Sequence, residues 1–397
     1  MSVEITANIP GKGLAQIRVE HDRIGSVRLL GSDDPARPFV SPGLVDIQIN
    51  GFAGVNFSDP DLAPEKAISV LPAIWKTGVT TFCPTLITNT IDQLAQNFRV
   101  LEKARGLDHR FARSAPCYHL EGPYLSPGEA HGAHDPALMR SPNWDEFSRL
   151  QEAAGGNIAI VTLAPELPGA CDFIRRARAA GVIVALGHTD CVPEDIHKAT
   201  EAGAELSTHL GNGCAPFIHR HQNPIWAQLA SDQLKVSLIC DGFHLPPDVV
   251  RVFYSVKGIH RIILITDAVH VANLPPGRYS LVGLQIELLP SGKVVAVNRQ
   301  HLAGSALSMN RGVTVFQEFA RVSLSDALQA ATTNPGGLLR REGICTDLVP
   351  GQPANLVTFR AETNALRIEN VLLRGEQVYG NDGPHLPYPS ALGRGRG

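Results

Sequence analysis

Three things are missing from these 397 residues: a Cys-x-x-Cys pair, a block of Lys or Arg, and an uninterrupted apolar run. The seven cysteines stand singly at Cys83, Cys117, Cys171, Cys191, Cys214, Cys240 and Cys345. An odd, dispersed set excludes a disulfide framework and a cysteine-built zinc site, and is expected as reduced, small buried hydrophobes. Lys and Arg number 35 against 38 Asp and Glu, a net charge of −3 without basic clusters. Nothing therefore attracts a nucleic acid or a membrane surface, and an anionic ligand has to be held by a local site. No apolar stretch approaches the roughly 18 residues of a membrane span. The opening MSVEITANIPGKG lacks the charged-then-apolar pattern of an export signal. A cytoplasmic location is the resulting expectation. No Gly-x-Gly-x-x-Gly follows the first strand, which argues against a doubly wound dinucleotide fold, and there is no internal repeat or low-complexity tract.

What is present is a globular chain, 44% hydrophobic and 18% charged, with β-rich runs alternating with amphipathic helices. Eight runs read as strands: GLVDIQI from Gly43, VTTFCPTL from Val79, PCYHLEG from Pro116, IAIVTLAP from Ile158, VIVALGHT from Val182, AELSTHL from Ala204, KVSLICDG from Lys235 and RIILITDA from Arg261. Helical segments such as PEKAISVLPAIWKTG, CDFIRRARAAG and PEDIHKATEAG lie between them, each closed by Gly. Eight such repeats predict an α/β fold, a (β/α)8 TIM barrel of roughly 250 residues. The ends differ. GLAQIRVE and RIGSVRLLG near the start match ANLVTF, ALRIENVLLRG and EQVYG near the finish. They predict a small β-sandwich domain built from residues 1–40 and 347–397 around a barrel of residues 41–346, with the tail SALGRGRG disordered.

Polar residues cluster where those strands end. Glu121 closes the third, His188 the fifth, His209 the sixth and Asp267 the eighth. In a barrel these ends converge on one face. Two imidazoles and a carboxylate are a common ligand set for a catalytic divalent metal with a position open for water. At the first strand end, Gln48 and Asn50 lie two apart and so share a face. Uncharged amides there need partners, because an unpaired buried polar group costs about 1–3 kcal/mol. His119, two residues before Glu121, is expected to orient that carboxylate. His21, His109, His197 and His260 are expected at the surface.

These residues sit in stretches that carry a resemblance: PGLVDIQINGFAGVNF, PTLITNT, HLEGPYLSP followed by GAHDP, GHTD, THL, DGFHL, ITDAV, LAGSALSM and ATTNP. In this order, from about residue 41 to 336, the sequence resembles the amidohydrolase superfamily and, within it, the N-acetylglucosamine-6-phosphate deacetylases. The resemblance implies a barrel of metal-dependent hydrolase type that cleaves the acetamide of an N-acetylated amino sugar phosphate. Most amidohydrolases have His-x-His at the first strand end to hold a second metal, whereas some of these deacetylases have Gln-x-Asn. It thus implies one divalent ion per chain on Glu121, His188 and His209. Zn2+ suits that set, with Fe2+, Co2+ or Mn2+ as alternatives. Gln48 and Asn50 would then bond near the water or the substrate. Asp267 is placed to move the water proton to the departing amine. His134 would contact the carbonyl region, and His244 the sugar or its phosphate. Relatives are commonly homodimers whose partner completes the phosphate site.

One stretch departs from the family. After His209 many relatives have an aromatic-Asn-Ala-Met run and a later Arg, where this chain has GNGCAPFIHRHQNP. Successive amides at Asn212 and Gly213 could form an anion-binding concavity, and Arg220 is the guanidinium to clamp a phosphate. An unphosphorylated or different N-acetyl amino sugar, such as N-acetylgalactosamine 6-phosphate, stays open. So do another amidohydrolase activity, for which no carboxylated-Lys candidate is found, and a non-catalytic scaffold, which would be free to lose the four strand-end residues.

Overall fold

The structure, a computed structural model, describes residues 2–297 and 301–380; the SALGRGRG tail lies outside the described residues. The chain opens with β1 (Ser2–Ile9), β2 (Gly13–Glu20), β3 (Arg23–Gly31) and β4 (Phe39–Pro42). Then come β5 (Leu44–Ile49), a two-residue-per-strand hairpin of β6 (Gly51–Phe52) and β7 (Val55–Asn56), β8 (Val79–Ile87), β9 (Tyr118–Glu121), β10 (Ile158–Leu163), β11 (Ile183–Leu186), β12 (Leu206–Ser207), β13 (Lys235–Ile239) and β14 (Ile262–Ile265). An antiparallel trio follows: β15 (Gly277–Leu281), β16 (Leu284–Leu288) and β17 (Val294–Ala296). The last strands are β18 (Leu356–Arg360), β19 (Arg367–Leu373) and β20 (Glu376–Gly380).

All eight expected barrel strands form, and they pair in parallel in chain order from β5 through β8 to β14. The ring is drawn together by bonds between the first and last members: Asp267 N–H donates to Gln48 O at 3.0 Å and Asn50 N–H to Ala268 O at 2.8 Å. Parallel strands covered on both faces read as near-continuous apolar runs, and short β-branched runs bounded by turn residues mark them. Cys83, Cys117, Ile160, Ile183, Ala185, Leu206, Ile263 and Ile265 belong to the inner cluster. Their neighbours Phe82, Leu120, Val161, Val184 and Leu264 belong to the cluster that includes the helices. The seven cysteines carry no disulfide.

Helices Ala170–Ala179 and Pro193–Ala202 lie where expected. The segment from Pro64 divides instead into Pro64–Ile68 and Leu71–Trp75, because Pro72 has no N–H to donate and starts a new helix. The two termini build one seven-stranded sheet in the order β20-β19-β18-β4-β1-β2-β3. Its own core joins Ile17, Val19 and Ile24 to Leu356 and Leu372 from the far end of the chain. The trio β15–β17 is not legible in the sequence reading. It packs Leu281, Ile286 and Leu288 onto Val269 and Val271 just past the eighth barrel strand.

Candidate active site

Three of the four strand-end residues share a backbone device. His188, His209 and Asp267 each stand two residues beyond the last residue of β11, β12 and β14, with φ of 50°, 31° and 50°. A side chain in this left-handed region costs about 1–2 kcal/mol, and such residues gather at functional sites. The turn redirects each side chain from the strand toward the barrel mouth. Glu121 ends β9 itself.

The side chains converge. Glu121 Oε1 lies 3.1 Å from His209 Nε2 and 3.5 Å from His188 Nε2, and the two Nε2 atoms are 3.1 Å apart. All three residues are buried. His188 Nδ1 faces the Ala130 carbonyl at 3.0 Å. A carbonyl only accepts, so Nδ1 carries the proton and Nε2 offers a lone pair to the centre. Burial works against a charge on Glu121, yet the neighbouring His188 and His209 imidazoles hold its carboxyl well below the usual range. Lewis-basic atoms converging without enough protons to separate them fit a divalent cation, and an O, N, N set suits Zn2+, Fe2+, Co2+ or Mn2+.

The two amides of the first strand have definite partners. Gln48 Nε2 donates to Glu121 Oε1 at 2.8 Å and to Asp267 Oδ1 at 3.1 Å, and Asn50 Nδ2 donates to the same Asp267 oxygen at 2.6 Å. The two amides thus bracket the carboxylates of Glu121 and Asp267. Asn50 still lines the cavity, and its Oδ1 is buried without a partner. Burial first, then the Glu121 charge, pushes Asp267 up to about 6, while His209, His244 and the Asn50 bond pull it down.

His119 does not bond to Glu121. Its ring bridges Ile47 O at 3.1 Å and Thr162 Oγ1 at 2.7 Å, which makes it a cross-brace of the barrel interior. Beside it Asp46 accepts from Thr266 Oγ1 at 2.6 Å and from the amides of Thr266 and Gln48. Burial pushes its carboxyl up to about 7 against those bonds. It ties the first strand to the eighth directly below Gln48 and Asp267.

A cavity of about 750 Å³ opens over these groups and takes in His134, His244, Asn212 and Gly213. His134 meets His188 edge to face, with ring centroids 4.4 Å apart. Burial, then His188, pushes its imidazole down to about 3. His244 Nδ1 meets Asp241 Oδ2 at 2.7 Å. Gly213 (φ 59°) is a glycine by necessity, since a Cβ would come within 3.0 Å of both His188 and His209. The expected concavity of Asn212 and Gly213 amides is only half available: Asn212 N–H is bonded to His209 O at 2.9 Å. Arg220 neither lines the cavity nor is buried. The loop between Gly211 and Gln222 has no helix or strand to turn it back, and it carries Arg220 to the surface. His21, His109, His197 and His260 are exposed, as expected. Cys171 and Cys214 are only half-buried, and Cys214 lines the cavity, unlike the other thiols.

Thr88, Asp241 and Asp46 were missed. Thr88 directly follows β8 and Asp241 stands two residues beyond β13. The strand-end rule applied evenly to the second and seventh strands would have found both. Asp46 carries no such signal, because a lone acid inside an apolar strand has partners that only the fold supplies.

An amidohydrolase family model matches residues 39–378. The chain is 32% identical over 338 residues to the N-acetylglucosamine-6-phosphate deacetylase of Bacillus subtilis, covering 84% of this chain and 83% of that one. It is 30% identical over 337 residues to the N-acetylgalactosamine-6-phosphate deacetylase of Escherichia coli O157:H7, covering 84% and 86%. A mutant N-acetyl-D-glucosamine-6-phosphate deacetylase of Mycobacterium smegmatis, solved in complex with N-acetyl-D-glucosamine-6-phosphate, superposes with a TM-score of 0.85 at 28% identity over 95% of this chain and 98% of that one. With the barrel, the convergent Glu and His set and these matches in hand, the chain belongs to the amidohydrolase family and, within it, to the N-acetylglucosamine-6-phosphate deacetylases.

Proposed function

We propose that this enzyme hydrolyses N-acetylglucosamine 6-phosphate to glucosamine 6-phosphate and acetate. The observation that carries the reading is the placement of Asp267, bracketed by Gln48 and Asn50, at the mouth of the same cavity as Glu121, His188 and His209. Those three would hold one divalent ion, Zn2+ in this proposal, which when bound polarises the acetamide carbonyl and acidifies water. Asp267 takes the proton of the attacking water and delivers it to the departing amine. A carboxyl pushed up to about 6 is near neutrality and can do both. His134 donates to the carbonyl oxygen as it gains negative charge. His244, oriented by Asp241, meets the sugar or its phosphate.

One observation favours a second reading. Among the described residues no Lys or Arg lines the cavity, so none of them places an ammonium or guanidinium group to meet a phosphate. Either a homodimer supplies Arg220 from the neighbouring copy, or the substrate is an unphosphorylated N-acetyl amino sugar. The dimer is favoured here by the exposed apolar residues of the Arg220 loop and the helix after it, Phe217 at 91% and Trp226 at 52% exposure. No helix among the described residues is long and apolar enough to cross a membrane, and free cysteines suit the reducing cytoplasm we propose for it. The test is a hydrolysis panel of N-acetylglucosamine, its 6-phosphate and the galactosamine counterparts. A marked preference for the first phosphate ester supports the proposal, and a preference for an unphosphorylated sugar overturns it.

A further inference from the structure

The histidines of the cavity are not equivalent, and their hydrogen bonds sort them. His188 and His244 each turn Nδ1 to an oxygen that can only accept, the Ala130 carbonyl and the Asp241 carboxylate. Each therefore keeps its proton on Nδ1 and shows a lone pair at Nε2 when neutral. His134 is built the other way. Its Nδ1 faces two donors of one residue: Thr88 Oγ1 at 2.8 Å and the Thr88 backbone N–H at 3.4 Å. A backbone N–H can only donate, so Nδ1 has to accept. The proton of a neutral ring then sits on Nε2, which makes no hydrogen bond to the described residues, in a side chain that lines the cavity.

We infer that Thr88 is a positioning residue that fixes His134 in the Nε2–H form, so that this ring, unlike His188 and His244, presents a donor and not a lone pair to the substrate. The consequence is chemical. A lone pair at that place would repel an oxygen gaining negative charge, whereas an N–H stabilises it. The same tautomer makes His134 Nε2 unsuited to bind a cation, which keeps the metal candidates to three. Thr88 is itself held in place. It follows the last residue of β8, is buried, and faces Gly122, where a Cβ would come within 2.2 Å of its hydroxyl. Gly122 thus leaves the room in which Thr88 reaches His134. The inference rests on the deacetylase reading only for its catalytic consequence; the tautomer is a property of the resting protein.

The experiment has two arms. In the first, the protein is loaded with a diamagnetic divalent ion, its histidine rings are labelled with nitrogen-15, and His134 is assigned by comparison with His134→Gln. A pyridine-like Nδ1 and a pyrrole-like Nε2 are expected, the reverse of His244. A pyrrole-like Nδ1 on His134 overturns the inference whatever the variants do. In the second arm Thr88→Val, which keeps shape and backbone N–H but removes the hydroxyl, should lower kcat by about 10–100-fold. KM and metal content should stay near wild type, and the ring signals should move toward a tautomer mixture. Thr88→Ser should restore most of both. Unchanged kcat and unchanged ring signals in Thr88→Val overturn the inference. The first arm uses no substrate, so a wild-type protein that cleaves no acetamide defeats the deacetylase reading while leaving the tautomer decided on its own data.

Discussion

The two sides of the cavity differ in what they are made of. On one side Glu121, His188, His209 and Asp267 are fixed at barrel strand ends, with Gln48, Asn50 and Asp46 bracing them from the first strand. On the other, the chain from Gly211 to Gln222 forms neither helix nor strand, and its only guanidinium, Arg220, is exposed. Bond-making chemistry needs groups held to fractions of an ångström, which rigid elements supply. Recognition of a distant substrate group tolerates a loop. The comparison teaches that the candidate metal ligands and Asp267 rest on rigid strand ends, while the Arg220 side rests on a loop.

The largest effect should come from removing the centre of the rigid side. His188→Ala takes away one of three converging donors, and metal occupancy and turnover should both fall to near background. Elemental analysis of the wild type should find one ion per chain, because the first strand end offers the neutral amides of Gln48 and Asn50, whose oxygens are weaker ligands than imidazoles. Two ions per chain at full activity would contradict this. Chelation should abolish activity, and added divalent ion should restore it.

Asp267→Asn ranks next. It keeps the shape and loses the proton acceptor, so kcat should fall by about 10²–10⁴-fold while metal content stays close to wild type. More than a tenth of wild-type turnover in this variant would remove Asp267 from the proposed role.

The loop side should respond more weakly and selectively. Arg220→Ala should reduce kcat/KM for the 6-phosphate by about 10–150-fold, the loss of charge-assisted hydrogen bonds of about 1.5–3 kcal/mol. It should barely affect an unphosphorylated sugar. Equal losses on both substrates would make Arg220 structural. Mixing sharpens the contrast. When Arg220→Ala chains are co-expressed with His188→Ala chains, a hybrid dimer contains one site with intact ligands and a partner's guanidinium. Recovered activity would place Arg220 across a subunit boundary, and none would place it within its own chain.

The same contrast explains what could be read from sequence. Strand-end residues were legible because the α/β repeat puts each at an equivalent place, and Glu121, His188, His209 and Asp267 indeed meet. What escaped depends on contacts between strands. His119 looked bound to Glu121, two residues on, but its partners come from β5 and β10. The Gln48 and Asn50 bonds to Asp267 span more than 200 residues of sequence, since barrel closure alone brings β5 beside β14. The β15–β17 trio was missed because short antiparallel strands directly after the eighth barrel strand break the repeat that made the others visible. The exposed position of Arg220 was not legible, because a loop without helix or strand has no periodicity from which to infer a direction.

The smallest expected effect tests the bracket itself. Asn50 donates at 2.6 Å to Asp267 Oδ1 and so favours the charged carboxylate, opposing burial and the Glu121 charge that raise its pKa. Asn50→Ala removes a lowering influence, and the pKa of Asp267 must rise. A general base works only when unprotonated, so the acid limb of the kcat/KM profile should move to higher pH. Activity would then drop most below the new limb and approach wild type well above it, with each unit of displacement worth about 1.4 kcal/mol or tenfold on the acid side. Gln48→Ala should shift the limb the same way, but because Gln48 also bonds to Glu121 it should weaken metal retention as well. A limb that stays in place or moves to lower pH in Asn50→Ala would mean that another group sets it, and the amides would then serve only to close the barrel.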